Sequence, residues 1–483
     1  MKWPLRRLPP TAWVTFQHVT EQALWLVLFA IQAPVLGPKP FGLISIVMVF
    51  VGFCEYVVAN VATEVLLSIR GISPRHYSTV TTTCLIISAL LGCALYLGAD
   101  RLALVFHDTQ VASIARALAF LPVLSALASA PTAAIKRDME FRGTAVRGVT
   151  SLAVAGSVSL ILTLGGAGVW ALVAQALLQR LVSAVVLWRI SPVRFALAWS
   201  WVCLLEMQRL AGKLAVSCVM NWSAGQLPRL ILGLWLGLVD LGLFSLASRL
   251  VDILTAVAID PKTTVARVSL RNFFQDPEGL RVAVRRMFEQ MSVVCFPLCV
   301  GGAVVIPTLF HAWLDARWTG AIVPAQLLLL TGIPTVTFYC TTAILLALNR
   351  QGSEAIVATT QTVSMALVAA AFAPFGLIAV TLAFALRPWV LAPLPITFLL
   401  KRARLNFGVV VGSQALPLLI AVLMGLAVWG LRIELEGRLE AAAALAVLVG
   451  AGAVIYAALV YLTMPQVVGV LSRRPGAAAH IVP

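Results

Sequence analysis

The chain has 483 residues, of which 61% are hydrophobic and 11% are charged, whereas an ordinary soluble domain has about 25% charged residues. This composition cannot cover a water-exposed surface, and it excludes a soluble protein. The net charge of +16 does not indicate nucleic-acid binding, because the basic residues form no single stripe with interleaved aromatic residues. The cysteines form no CxxC pair and the histidines are scattered. Neither a disulfide nor a metal site is therefore predicted.

Apolar stretches long enough to cross a bilayer follow one another along the chain. They begin near residues 12, 42, 79, 113, 147, 167, 210, 235, 291, 323, 355, 376, 411 and 440, which predicts about fourteen spans. The first stretch is too long for a cleaved signal peptide and is interpreted as a retained signal anchor.

Basic residues are concentrated in alternate connections between these spans. The connections on the side of the amino terminus contain about four times as many basic residues as those on the other side. Positive connections resist translocation, so both termini are predicted to be cytoplasmic. The third of the predicted inner connections is a basic one, and it contains Lys136, Arg137, Arg142 and Arg147.

A sequence pattern that recurs within the chain indicates two related halves. Residues Leu36–Leu43 recur in outline as Leu236–Leu243, and Gly168 and Gly376 precede similar spans at nearly the same offset. Chance recurrence of a motif rich in leucine and glycine is the alternative. A parallel repeat predicts an all-α polytopic membrane protein with two pseudo-symmetric six-helix bundles. The predicted divisions are 1–205, 206–405 and, for two additional helices with a short tail, 406–483.

Two arginines are predicted at similar depth in the two halves, Arg180 and Arg387. A charge at the bilayer centre costs about 2.5–3.5 kcal/mol on insertion scales, so it needs a partner or a wet cavity. Facing one central cleft, these guanidiniums could bind a diphosphate through paired hydrogen bonds. The alternative is that they extend to the interface or pair with Glu55, Glu64 or Asp252.

Further polar residues fall within predicted spans. The candidates for the substrate cavity, besides the two arginines, are Arg229, Arg249, Gln175, Asn221 and Gln226. The candidates for ion coupling are Glu55, Glu64 and Asp252, since a desolvated carboxyl group can titrate near neutral pH. Ion pairing and hydrogen bonding between helices are the alternatives for all of them.

Four patches resemble the polysaccharide exporter or oligosaccharide flippase family, the Wzx-like branch of the multidrug/oligosaccharidyl-lipid/polysaccharide superfamily. They are Gln32–Leu43, Leu121–Arg142, Gly168–Gln175 and Arg317–Gln326, in the family's order. The chain departs from the family pattern at Pro34, Pro228 and Asp315, which puts roles inherited through those positions in doubt. The resemblance implies two six-helix bundles around a cavity that opens alternately to each side of the membrane.

The resemblance also implies a function: outward movement of an undecaprenyl-diphosphate-linked oligosaccharide across the bacterial inner membrane, for exopolysaccharide, capsule or O-antigen synthesis. The expected partners are the lipid-linked oligosaccharide, membrane lipids, and a polysaccharide polymerase and glycosyltransferases. No cofactor and no enzymatic activity are expected, and the absence of a P-loop motif argues against ATP. Coupling to protons, sodium or the membrane potential stays open. The alternatives are a multidrug or metabolite antiporter of the same superfamily and a membrane polysaccharide polymerase or glycosyltransferase.

Overall fold

The computed structural model describes residues 10–69, 72–138, 141–191, 198–258, 277–348, 350–402, 407–436 and 438–464. Helices make up almost all of these residues. In the first half of the chain the helices are α1 Pro10–Leu36, α2 Pro38–Glu55, a π-helical turn Tyr56–Asn60, α3 Val61–Ser68, α4 Pro74–Val105, α5 Thr109–Leu118, α6 Leu121–Arg137, α7 Phe141–Leu164, α8 Val169–Ile190, α9 Trp201–Trp235 and α10 Leu238–Ala258.

The second half is helical as well where it is described. Its helices are α11 Pro277–Trp313, a 3-10 turn Ala316–Ala321, α12 Ile322–Leu330, α13 Gly332–Ala347, α14 Gln351–Phe372, a 3-10 turn Ala373–Phe375, α15 Leu377–Leu391, α16 Pro393–Arg402, α17 Phe407–Leu435 and α18 Ala441–Thr463. The predicted all-α polytopic fold is confirmed.

Eleven helical stretches within the described ranges are long and apolar enough to cross a membrane, and a bent pair, Ala316–Leu330 with Gly332–Ala347, makes up to twelve. The predicted spans near residues 210 and 235 fall on α9 and α10, which are helical but are not among these stretches, and part of each helix has side chains outside the described residues. Both helices carry charged residues, among them Arg229 and Asp252. The count of fourteen is therefore not confirmed.

By their contacts, the described residues form two compact units. The first comprises residues 1–245 and 365–377, and the second comprises 246–364 and 378–483. The division of the chain into repeated bundles at residues 205 and 405 stays a prediction.

The recurring motif forms a close contact inside the first unit. Gly37 and Gly237 both have positive φ, 74° and 87°, directly before α2 and α10. Where these helices begin, Gly42 and Gly242 face each other: a Cβ on either glycine would lie 3.2 Å from the backbone nitrogen of the other. One turn further on, the Ser45 and Ser245 hydroxyl groups are 3.0 Å apart. Each residue thus meets its own counterpart 200 positions away, the reciprocal pattern of a two-fold contact.

Both glycines of the second predicted repeat pair have positive φ. Gly168 precedes α8 with a φ of 59°, and Gly376 precedes α15 with a φ of 95°. A residue with a side chain rarely adopts such angles, so glycine at both positions is explained by the backbone. In both halves of the chain, a glycine with positive φ therefore directly precedes the corresponding helix.

Prolines inside the helices leave backbone carbonyls without a partner, because proline has no N–H to donate to the residue four positions earlier. Side chains replace three of these donors. Trp188 Nε1 donates to the Leu127 carbonyl at 2.8 Å, which Pro131 leaves open in α6. In α11, the Tyr456 hydroxyl donates to Val293 at 2.8 Å and Gln326 Nε2 donates to Ala303 at 2.7 Å, four residues before Pro297 and Pro307.

The start of α5 is fixed by one acidic side chain. Asp108 accepts a hydrogen bond from the Gln110 backbone N–H at 2.9 Å and lies 2.7 Å from Lys39 Nζ. Partial burial raises the pKa of Asp108, but the hydrogen bonds from Lys39 and Gln110 and the charge of Lys39 outweigh it and lower the pKa below its ordinary value. Asp108 therefore stabilises the folded state above the ordinary aspartate pKa, and this contribution disappears as the pH falls through the lowered pKa.

We expect Asp108→Asn to lower the stability of the protein at neutral pH by at most about 1 kcal/mol, since the pair is partly exposed. Asparagine keeps the helix cap but loses the charge. The difference in thermal unfolding midpoint between wild type and variant should shrink as the pH falls below about 4. A difference that stays constant from pH 7 to pH 3 would show that the ion pair does not stabilise the fold.

Candidate functional site

A cavity of about 580 Å³ lies inside the first unit. Its wall contains a strongly polar set of side chains for a membrane-spanning region. The polar and aromatic residues that line it are Gln17, Glu55, Tyr56, Asn60, Thr63, Ser125, Ser129, Thr132, Lys136, Thr144, Arg147, Arg180, Ser183, Trp222 and Gln226. Such a polar lining favours water or a polar ligand over lipid chains, because hydrocarbon offers no hydrogen bonds to these groups.

Helical spacing brings the residues of α6 to this cavity. Ser125, Ser129, Thr132 and Lys136 recur every three or four positions and thus share one face of the helix. Another face of α6 carries Ala126, Ala130 and Ala133, which are buried against other helices. The hydroxyl stripe therefore follows directly from the sequence period of α6.

The π-helical turn Tyr56–Asn60 interrupts the second span just where it meets the cavity. Glu55, Tyr56, Asn60 and Thr63 line the cavity from this segment. Single-turn π-helices are rare overall, but those that occur are often found at functional sites. The wider turn changes which side chains face inward.

An ion pair crosses the cavity wall between two helices. Arg180 Nε lies 2.9 Å from Glu55 Oε1, and Arg180 Nη2 donates to Glu55 Oε2 at 3.1 Å. The Ser125 hydroxyl also donates to Glu55. The Glu55 side chain is 14% exposed and the Arg180 side chain is 43% exposed. Arg180 thus has the carboxylate partner that the sequence left open as an alternative, and it still faces the cavity.

Two further cations line the cavity, Lys136 at the end of α6 and Arg147 in α7. The sequence predicts both in a cytoplasmic connection. Arg147 lies near the start of Arg142–Leu164, a helical stretch long and apolar enough to cross a membrane, and its side of the membrane stays a prediction. Its Nε atom is buried without a hydrogen-bond partner among the described residues. Among the described residues that line the cavity, three are positively charged and one, Glu55, is negatively charged. A second carboxylate, Glu21, lies beside this wall, where it contacts Gly148 and its charge acts on Arg147.

Of the other predicted cavity residues, some line the cavity and others lie elsewhere. Gln226 lines the cavity, and Arg229, one turn further along α9, donates to the Gln226 side chain at 3.4 Å. The Asn221 side chain lies outside the described residues. Gln175 is not at the cavity: it is 2% exposed and accepts a hydrogen bond from Gln32 Nε2 at 3.3 Å. It is part of a polar contact between α1, α7 and α8 that includes Ser159.

The remaining predicted residues are not part of this wall either. Glu64 is exposed on α3. Arg249 and Asp252 belong to α10 in the second unit, half-buried and exposed respectively. Arg387 also belongs to the second unit, where it donates to the Gln361 carbonyl at 2.7 Å and to the Ser364 hydroxyl at 3.0 Å. The common cleft for Arg180 and Arg387 stays a prediction.

Comparison with known proteins decides the family. The model of the polysaccharide biosynthesis protein family matches residues 31–323, more than half of the chain. The chain belongs to this family. The match confirms the resemblance to Wzx-like polysaccharide exporters that the sequence patches indicate.

A relative and two solved structures agree with this assignment. The succinoglycan biosynthesis transport protein ExoT of Rhizobium meliloti is 25% identical over 289 residues, which cover 60% of this chain and 58% of ExoT. The lipid II flippase MurJ, in an inward closed conformation, has a TM-score of 0.76 at 12% identity, covering 95% of this chain and 99% of MurJ. An inward-facing multidrug resistance MATE family transporter of the MOP superfamily has a TM-score of 0.61 at 14% identity, covering 79% of this chain and 94% of the transporter. The chain is thus a multi-pass membrane protein with the fold of this superfamily.

Proposed function

We propose that the protein is a flippase that moves a lipid-linked oligosaccharide outward across the bacterial inner membrane for the synthesis of a surface polysaccharide. The observation that carries this proposal is the cavity of the first unit, in which Lys136, Arg147 and Arg180 outnumber Glu55. A wall with excess positive charge suits an anionic head group such as a diphosphate, because charge-assisted hydrogen bonds are strong at sites that water solvates poorly.

The distribution of polar groups supports a head group that also carries sugar. Hydroxyl and amide side chains make up most of the rest of the polar wall, and these groups both donate and accept hydrogen bonds. The polar lining extends from mid-span, at Glu55 and Arg180, to Lys136 at a helix end predicted to be cytoplasmic. A substrate that is assembled in the cytoplasm would enter from that end.

The membrane potential is a sufficient source of energy for an anionic substrate. With the cytoplasm negative, moving an anion outward is downhill by about 2.3 kcal/mol per charge per 100 mV. Coupling to an ion gradient would add to this driving force, and Glu55, which lines the cavity, is the candidate carboxylate for it. The proposed partners are the membrane lipids, the lipid-linked substrate, and the polymerase and glycosyltransferases of its pathway.

A multidrug antiporter is the alternative suggested by the shared fold. Its typical substrates are lipophilic cations, and an excess of positive charge in the cavity repels them. A membrane polymerase or glycosyltransferase is the alternative of another class. The relative ExoT is described as a transport protein, and this likeness favours transport over catalysis.

Reconstitution tests the proposal. In proteoliposomes with a labelled polyprenyl-diphosphate oligosaccharide in the outer leaflet, we expect the label to become protected from external periodate at least about tenfold faster than in protein-free liposomes, which corresponds to about 1.4 kcal/mol. A cationic dye is added to a parallel sample. Equal protection with and without protein would contradict a flippase. Dye accumulation that requires both the protein and an imposed proton or sodium gradient, without protection of the lipid, would support the antiporter.

A further inference from the structure

The cavity has two chemically different walls. Lys136, Arg147 and Arg180 are supplied by α6, α7 and α8, which pack against one another. The second wall consists of the π-helical turn and α9, which also pack together. Its side chains are Tyr56, Asn60, Trp222 and Gln226, and none of them is charged. A substrate with an anionic part and a neutral polar part would therefore be oriented by this separation.

Trp222 is held in a defined position on the second wall. Its ring is packed edge-on against Phe53, with the ring centroids 5.2 Å apart and an angle of 69° between the planes. Gly52 leaves space beside the indole: a Cβ at this position would lie 3.4 Å from Trp222 Nε1. The indole is thus fixed by neighbouring residues of α2 while part of it lines the cavity.

An indole beside amide groups is the combination that recognises a pyranose ring. The axial C–H bonds of a sugar pack on an aromatic face, and its hydroxyl groups pair with groups that donate and accept hydrogen bonds. Asn60 and Gln226 supply such amides on the same wall. Small ligands generally bind in pockets of about 300–1,000 Å³, and the cavity, at about 580 Å³, encloses only part of an oligosaccharide.

We propose that Trp222, with Asn60 and Gln226, forms a subsite for the sugar that is linked directly to the diphosphate, while Arg147 and Lys136 bind the phosphates. This inference rests on the proposed function and adds an orientation of the head group and a site of selectivity.

Binding measurements on the purified full-length protein in nanodiscs test the subsite. The probes are polyprenyl diphosphate and the same lipid diphosphate with one hexose. We expect wild type to bind the hexose-linked lipid at least about tenfold more tightly. Trp222→Ala should remove this difference and leave the affinity for the sugar-free lipid unchanged, whereas Arg147→Gln should weaken the binding of both lipids. Trp235→Ala is the matched control, because Trp235 lies on the same helix and is exposed outside the cavity.

Each outcome has a defined meaning. Equal affinity of wild type for both lipids, or an equal loss for both in Trp222→Ala, overturns the sugar subsite while the flippase proposal stands. Binding of neither lipid by wild type overturns the proposed function itself. If Trp222→Ala does not fold, Gln226→Ala and Trp222→Phe replace it. Selective loss of the hexose-linked lipid in Gln226→Ala then supports the subsite, and an unchanged preference for the hexose in both variants overturns it.

Discussion

Gly42→Ala is expected to destabilise the protein by about 1–3 kcal/mol or more, the range for groups forced into well-packed regions. The added methyl group would overlap the Leu238 backbone carbonyl, and a backbone cannot turn away as a flexible side chain can. Gly242→Ala should have a similar effect, since its Cβ would overlap the Pro38 carbonyl. The thermal unfolding midpoint of the purified protein in detergent is the measurement.

Gly98→Ala is the control for this prediction. Gly98 lies inside α4, and a Cβ there would meet no atom within 4 Å. Alanine favours a helix over glycine by up to about 1 kcal/mol, so this variant should be as stable as wild type or more stable. If Gly42→Ala unfolds at the same temperature as Gly98→Ala, the close contact of α2 with α10 is not as the structure describes it.

The second large effect is expected for Arg147→Gln, which removes a cation from the cavity wall and retains hydrogen-bonding capacity. Hydrogen bonds to charged groups contribute about 1.5–3 kcal/mol, so transport of the lipid-linked oligosaccharide should fall by about ten- to a hundredfold. Arg147→Lys should retain intermediate activity, because it keeps the charge but loses the bidentate fork. The initial rate in proteoliposomes, corrected for the amount of folded protein, measures the effect.

Arg142→Gln is the matched control on the same helix. Arg142 is exposed, does not line the cavity, and belongs to the same basic sequence patch. Both variants remove one positive charge near the predicted cytoplasmic side, so a general effect of net charge would reduce transport equally in both. Equal rates for the two variants would contradict a specific role for Arg147.

The sequence predicted the helical elements because their apolar length is a strong signal. Each predicted span coincides with a described helix, including α9 and α10. The count of fourteen is not confirmed, because α9 combines apolar stretches with polar residues such as Gln226. The composition of such a helix does not decide whether it crosses the membrane.

Within the site, the sequence indicated Glu55, Arg180 and Gln226 but did not indicate Arg147 as a cavity residue. An arginine near the end of a span has the same local sequence whether its side chain extends to water or faces an internal cavity. The polar stripe of α6, with Ser125, Ser129 and Lys136 on one face, is the signal that could have located the cavity. Gln175 illustrates the reverse error, since a buried amide that pairs with Gln32 is indistinguishable in sequence from one that faces a cavity.

In the proposed function, the cavity between α6, α7, α8 and the second span holds the head group of a lipid-linked glycan. Photo-cross-linking tests it most directly, with a polyprenyl-diphosphate sugar that carries a diazirine on the sugar and with mass spectrometry of the labelled peptides. We predict labelling in the segments that contain Tyr56–Asn60 and Trp222–Gln226, and its loss when unlabelled sugar-linked lipid is added in excess. Labelling confined to other segments, or labelling in these segments that the competitor does not reduce, would contradict the account.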